Sequence, residues 1–95
     1  MILSFSDKET EKVFRQEFSP KLPTDIQKIA LRKLMSINAA CCLGDLKKPP
    51  SNHLEKLKTA HRERWSIRIN KQWRICFTPL NDGADYIDVT IIDYH

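Results

Sequence analysis

Between residues 44 and 65 the apolar side chains change their spacing, and this change limits the possible folds more than any other feature. Ile26, Ile29, Ala30, Leu34, Ile37 and Cys41 recur at the 3.6-residue period of one helix face. Trp65, Ile67 and Ile69 instead alternate with Ser66, Arg68 and Asn70, and Trp73, Ile75 and Phe77 alternate with Arg74, Cys76 and Thr78. Helices should therefore come first and half-buried strands after them.

The flanking residues fill in the order. "ILSF" at 2–5 reads as a short strand. Ser6 with Glu9, and Thr24 with Gln27, have the capping-box spacing, so helices are expected to begin near Asp7 and Thr24. Val13, Phe14 and Phe18 should turn the first helix inward, Pro20 and Pro23 should end it, and Gly44 should end the second. "KKPPSN" reads as a loop. Asn-Asp-Gly at 81–83 suits a tight hairpin, and Ile87, Val89 and Ile91 are expected on the inner face of the last strand. The expected order is β-α-α-β-β-β, an α+β fold with two N-terminal helices on one face of a small, curled, mainly antiparallel sheet whose other face is free. Ninety-five residues suit one domain, 1–95, with a single modest core.

Several function classes drop out. No apolar run approaches the roughly 18 to 20 residues that cross a bilayer, and "MILSFSDKETEK" lacks a signal peptide's order, so a soluble cytoplasmic protein is expected. Three cysteines, two of them adjacent at Cys41 and Cys42, suggest reduced thiols acting as small buried hydrophobes. His53, His61 and His95 are not spaced as zinc ligands, and Cys76 has no evident base partner. With glycine only at 44 and 83 there is no phosphate-binding loop, which argues against nucleotide hydrolysis. Neither metal nor cofactor is expected.

Charge is unevenly spread. Residues 47–74 carry nine Lys/Arg against two Asp/Glu, whereas residues 75–95 carry four Asp and no Lys or Arg. A basic block that also holds Trp65 and Trp73 can displace counterions from phosphates and stack bases, although a solvated basic face has the same composition. Lys56, Arg62, Arg64, Arg68 and Lys71 are its candidate RNA contacts.

The chain closes on Asp93, Tyr94 and His95. Metal-free RNA cleavage needs a base for the 2′-hydroxyl, an acid for the leaving 5′-oxygen and cations for the phosphate. His95 titrates near neutrality and has Asp93 close by, Tyr94 can hold a phosphate or stack on a base, and Arg74 and Lys58 can grip phosphate oxygens. The structural alternative is a mobile terminal histidine, a strand-end tyrosine, and an arginine paired across strands with a carboxylate such as Asp88. In a regular strand Asp93 and His95 share the face of Ile91 while Tyr94 shares that of Thr90, so all three reach one site only if the strand ends or bulges near Ile92.

"PPSNHLEKLK", "WSIRINKQWRICF" and the closing "IDYH" together resemble the HigB branch of the RelE-type toxins, over the whole chain and most specifically from Pro49 to His95. The resemblance implies a RelE-like microbial ribonuclease fold and a toxin that enters the ribosomal A site of the 30S subunit and cuts messenger RNA there without a metal. It implies neutralisation by a HigA-like helix-turn-helix antitoxin, with operator DNA contacted only through that partner. It assigns phosphate contact to Lys58 and Arg74 and the active-site cluster to Asp93, Tyr94 and His95, leaving open which group is acid and which base. The chain departs from the family where "LEKLKTAHRERWSI" replaces the common "LHPLKGDR-G-WSI". Glu55 stands where a histidine often does, as a possible base or a partner for Lys58, and its charge opposes a phosphate and implies slower cleavage. The rival reading is a basic RNA- or ribosome-binding module, or a catalytically weakened toxin that mainly binds its antitoxin.

Overall fold

The computed structural model describes residues 1–58 and 63–94. Arg62, His61 and His95 lie outside the described residues.

Helices α1 (Lys8–Phe14) and α2 (Thr24–Ala39) precede four strands, β1 (Glu55–Leu57), β2 (Arg64–Arg68), β3 (Trp73–Leu80) and β4 (Asp85–Asp93). The strands form one antiparallel sheet in the order β1-β2-β3-β4. The α+β class and the helix-then-sheet order are as expected. "EKL" adds a fourth strand, pairing Glu55 with Ser66 and Leu57 with Arg64.

The segment at 2–5 makes two isolated parallel bridges to β4, Ile2 with Tyr86 and Phe5 with Val89, in place of the expected strand. The interruption has a cause in β4. Asp88 adopts φ 53° within a bulge whose register shift lies opposite residues 76–78 of β3, so the ladder cannot run straight past it. Ser4 Oγ instead accepts from the Asp88 N–H at 2.9 Å.

The caps differ from the expected boxes. Asp7, not Ser6, caps α1, accepting from the Thr10 N–H at 3.1 Å. Glu9 instead accepts from the Ser19 hydroxyl. α2 starts at Thr24 without a side-chain cap, because Gln27 is drawn to the loop before it and donates to the carbonyls of Ser19 and Leu22. α1 stops at Phe14, well before the prolines, and Phe18 is exposed. Ile26, Ala30, Leu34 and Ile37 are buried as the period predicts, but α2 ends at Ala39, leaving Cys41 and Cys42 exposed beyond it. Gly44 lies inside the 3-10 turn Leu43–Lys47 and does not end the helix.

The core lies between the helices and one sheet face, built from the α2 stripe with Ile67, Ile75, Phe77, Tyr86, Val89 and Ile91. Tyr86 replaces the expected Ile87 there, because the bulge at Asp88 shifts the alternation by one residue. The opposite face is not simply free: Ser66, Arg74, Cys76 and Thr78 are buried on it.

Candidate active-site groove

Arg74 organises the outer face of the sheet. Its backbone pairs with Arg68 on β2 and Ile92 on β4, so the three side chains share a face. The side chain is 8% exposed and held on several sides. Nε donates to Ser66 Oγ at 2.8 Å, and Nη2 donates to the His53 carbonyl at 2.6 Å. Glu55 Oε2 lies 3.6 Å from the same Nη2. The Tyr94 ring covers the guanidinium, its centroid 5.7 Å from Cζ, within cation–π range.

Tyr94 also closes one end of an open groove of about 450 Å³ lined by Glu55, Lys56, Leu57 and Lys58. Four of the residues singled out from the sequence therefore meet here: Glu55, Lys58 and Tyr94 on the walls, with Arg74 beneath Tyr94 and Glu55. Lys56 lines the same groove. Short β1 achieves this by carrying Glu55 opposite Ser66, so that both approach Arg74.

Asp93 is placed differently. It pairs with Trp73, next to the Arg74–Ile92 pair, and the alternation puts its side chain on the opposite face. There its Oδ2 accepts from Gln72 Nε2 at 3.0 Å. The strand neither ends nor bulges at Ile92; its one irregularity is at Asp88, too far back to bring Asp93 and Tyr94 to one side.

The remaining basic candidates divide. Arg64 spans the outer face, donating from Nη1 to Thr78 Oγ1 at 3.2 Å and to the Asp88 carbonyl at 2.9 Å, which ties β2 to the bulge. Arg68 Nε donates to the Asn70 carbonyl at 3.1 Å, and Arg68 and Lys71 line a second groove. Cys76 is buried on the Arg74 face, where burial pushes its thiol pKa up despite the charges of Arg64 and Arg74, so it stays a protonated thiol. Among the described residues no three His, Cys, Asp or Glu side chains gather as metal ligands would.

Ser66 and His53 hold Arg74 and were not singled out from the sequence. Ser66 was partly readable, since it falls on the polar side of the β2 alternation with Arg64 and Arg68. The His53 contact is made by a backbone carbonyl, for which side-chain chemistry gives no signal.

The family model for the RelE-like toxin of type II toxin–antitoxin system HigB matches residues 3–95. A Haemophilus influenzae protein described as uncharacterized is 39% identical over 70 residues, which span 72% of this chain and 69% of the relative. Toxin HigB-1 of Vibrio cholerae is 37% identical over 78 residues, 81% of this chain and 82% of its own.

Proposed function

The chain belongs to the HigB-like, RelE-like toxins of type II toxin–antitoxin systems, and from that membership we propose that it is an endoribonuclease that cuts messenger RNA in the ribosomal A site. Toxins of this family are generally endoribonucleases, and a toxin–antitoxin family implies an antitoxin partner. We infer that the partner is a HigA-like helix-turn-helix protein that also carries the operator contacts. No helix among the described residues is long and apolar enough to cross a membrane. The proposal places the protein in the cytoplasm, where ribosomes are.

The observation that carries the reading is the convergence of Arg74, Glu55, Tyr94 and Lys58 on one groove. In the proposed reaction a base takes the proton of the ribose 2′-hydroxyl, the 2′-oxygen bonds to phosphorus, and the bond from phosphorus to the 5′-oxygen breaks. An acid returns a proton to that oxygen, leaving a 2′,3′-cyclic phosphate and a 5′-hydroxyl. Lys58 and Arg74 meet the charge that builds on the phosphoryl oxygens, Tyr94 stacks on a flanking base, and Glu55 acts as the base. We assign the acid to His95, a member of the cluster that the family resemblance gives, while Asp93 lies on the opposite face of the strand.

Primer extension on messenger RNA from cells expressing the protein tests this. Discrete new 5′ ends are expected; Lys58→Ala should reduce them by roughly 10²- to 10³-fold, the usual contribution of one charge-stabilising group, and Tyr94→Ala by roughly 10- to 100-fold, the range of one base–aromatic stack. Intact messenger RNA in cells arrested by the unsubstituted protein would refute the proposal. One observation favours a weakened toxin as the second reading: the Glu55 carboxylate already occupies the Arg74 guanidinium that a phosphate would use.

A further inference from the structure

A second groove, of about 420 Å³, opens between α2 and the turn joining β2 to β3. Arg32 and Lys33 come from α2, Arg68 from the end of β2, Lys71 from the turn, and Ile29 and Ile69 line it with apolar surface. Among the described residues no Asp or Glu lines it, and none forms an ion pair with these four cations. Four positive side chains from three elements without an acid among them repel one another and raise the local potential, and an anion relieves that.

Part of the groove is held rigidly. Asn52 is fully buried and donates to the carbonyls of Leu46 and Lys48, which orients its Oδ1 to accept from Lys33 Nζ. Partial burial, and then the charge of Arg32, lower the Lys33 pKa.

The groove also lies beside Arg74, which underlies the first. Arg68 lines it and is the direct cross-strand partner of Arg74, which places the two β-carbons about 5 Å apart. His53 lines it too, while its carbonyl accepts from Arg74. One strand pair and one residue therefore separate the two grooves.

We propose that this second groove is an RNA-phosphate subsite that seats the strand running on from the candidate active site. The inference rests on the endoribonuclease reading for its choice of RNA. The continuity with Arg74 favours a nucleic acid strand over an acidic protein segment, because one backbone can present successive phosphates to both grooves.

The experiment measures binding of the full chain to a fluorescent 12-nucleotide 2′-O-methyl RNA, which resists 2′-hydroxyl attack, across a salt series. Arg32→Gln with Lys71→Gln removes two exposed cations of the groove; Lys8→Gln with Lys28→Gln removes two exposed cations that do not line it. The groove variant is expected to bind at least about tenfold more weakly at about 50 mM salt and to reduce the log–log salt slope by about 1.4, the release expected for two single-strand phosphate contacts. The control pair should reproduce neither effect in full. Equal behaviour of the two variants, or no binding by the unsubstituted chain, overturns the proposal. So does unchanged RNA binding with lost affinity for an acidic peptide, which would assign the groove to a protein partner. Binding through this groove by a protein that leaves messenger RNA intact refutes the nuclease reading alone, whereas cleavage with unaltered slopes refutes the subsite alone.

Discussion

The substitution that sets this chain apart from the common family pattern acts through a single distance. Glu55 lies 3.6 Å from Arg74 and on the wall of the groove, so it neutralises part of the charge meant for the phosphate. Glu55→His keeps a base at this position without the carboxylate's charge, and is expected to speed cleavage of messenger RNA on purified programmed ribosomes by roughly tenfold, equivalent to about 1.4 kcal/mol; an unchanged or lower rate would contradict it. Tyr86 offers a second test, at the fold rather than the site. Its hydroxyl is buried with no hydrogen-bond partner among the described residues, and burial, with Cys42 and Asp45 nearby, pushes its pKa up to about 12. The phenol is harder to ionise folded than unfolded, so its contribution holds below about pH 10 and is lost as pH rises toward about 12. Tyr86→Phe should flatten that alkaline loss in urea unfolding and raise stability near neutrality by about 1 kcal/mol, since no partner is left unsatisfied. Residue types were readable in advance. Arg74, Lys58 and Tyr94 stood out because their chemistry suits a phosphate, and Glu55 because it departs from the family pattern, but the buried posture of Arg74 did not, because its holders come from residues 53, 55, 66 and 94.

At the scale of elements, periodicity read well and punctuation read poorly. The α2 stripe and the β2 and β3 alternations are repeated signals, so one misleading residue does not change them. A cap is decided by one or two hydrogen bonds, and Glu9 and Gln27 both had a competing partner in the loop between the helices. The hairpin was legible for a firm reason: Asn81, Asp82 and Gly83 all have positive φ, at 53°, 59° and 90°. Gly83 carries a further constraint, since a β-carbon there would sit 2.2 Å from the Leu43 backbone nitrogen. Gly83→Ala should therefore cost more than about 1 kcal/mol and lower the thermal midpoint, because the turn and the Leu43–Lys47 segment must move apart. A midpoint equal to that of the unsubstituted protein would show that the contact yields freely.

For the whole molecule, the amino-terminal segment covers the outer edge of β4. Leu3 donates to the Tyr86 carbonyl at 2.8 Å and Ser6 to that of Val89 at 3.0 Å, while the Tyr86 and Val89 N–H groups donate back to Met1 and Ser4. Removing residues 2–5 would uncover that edge and the core beneath it, so the shortened chain should self-associate in size-exclusion chromatography; a stable monomer would argue that the edge is protected by other means. Among the described residues of the basic block, Lys56 and Lys58 line one groove, Arg68 and Lys71 line the other, and Arg64 is a structural tie, a partition that total charge does not reveal. The sequence by itself determined the α+β class, the helix-before-strand order, the hairpin and the kinds of side chain available for a phosphate, because each is written in residues close together along the chain. Only the tertiary structure decided which of them meet. The bulge at Asp88 depends on pairing with β3 and the amino-terminal segment, and the face that Tyr94 or Asp93 takes follows from strand register, a relation between residues far apart in sequence.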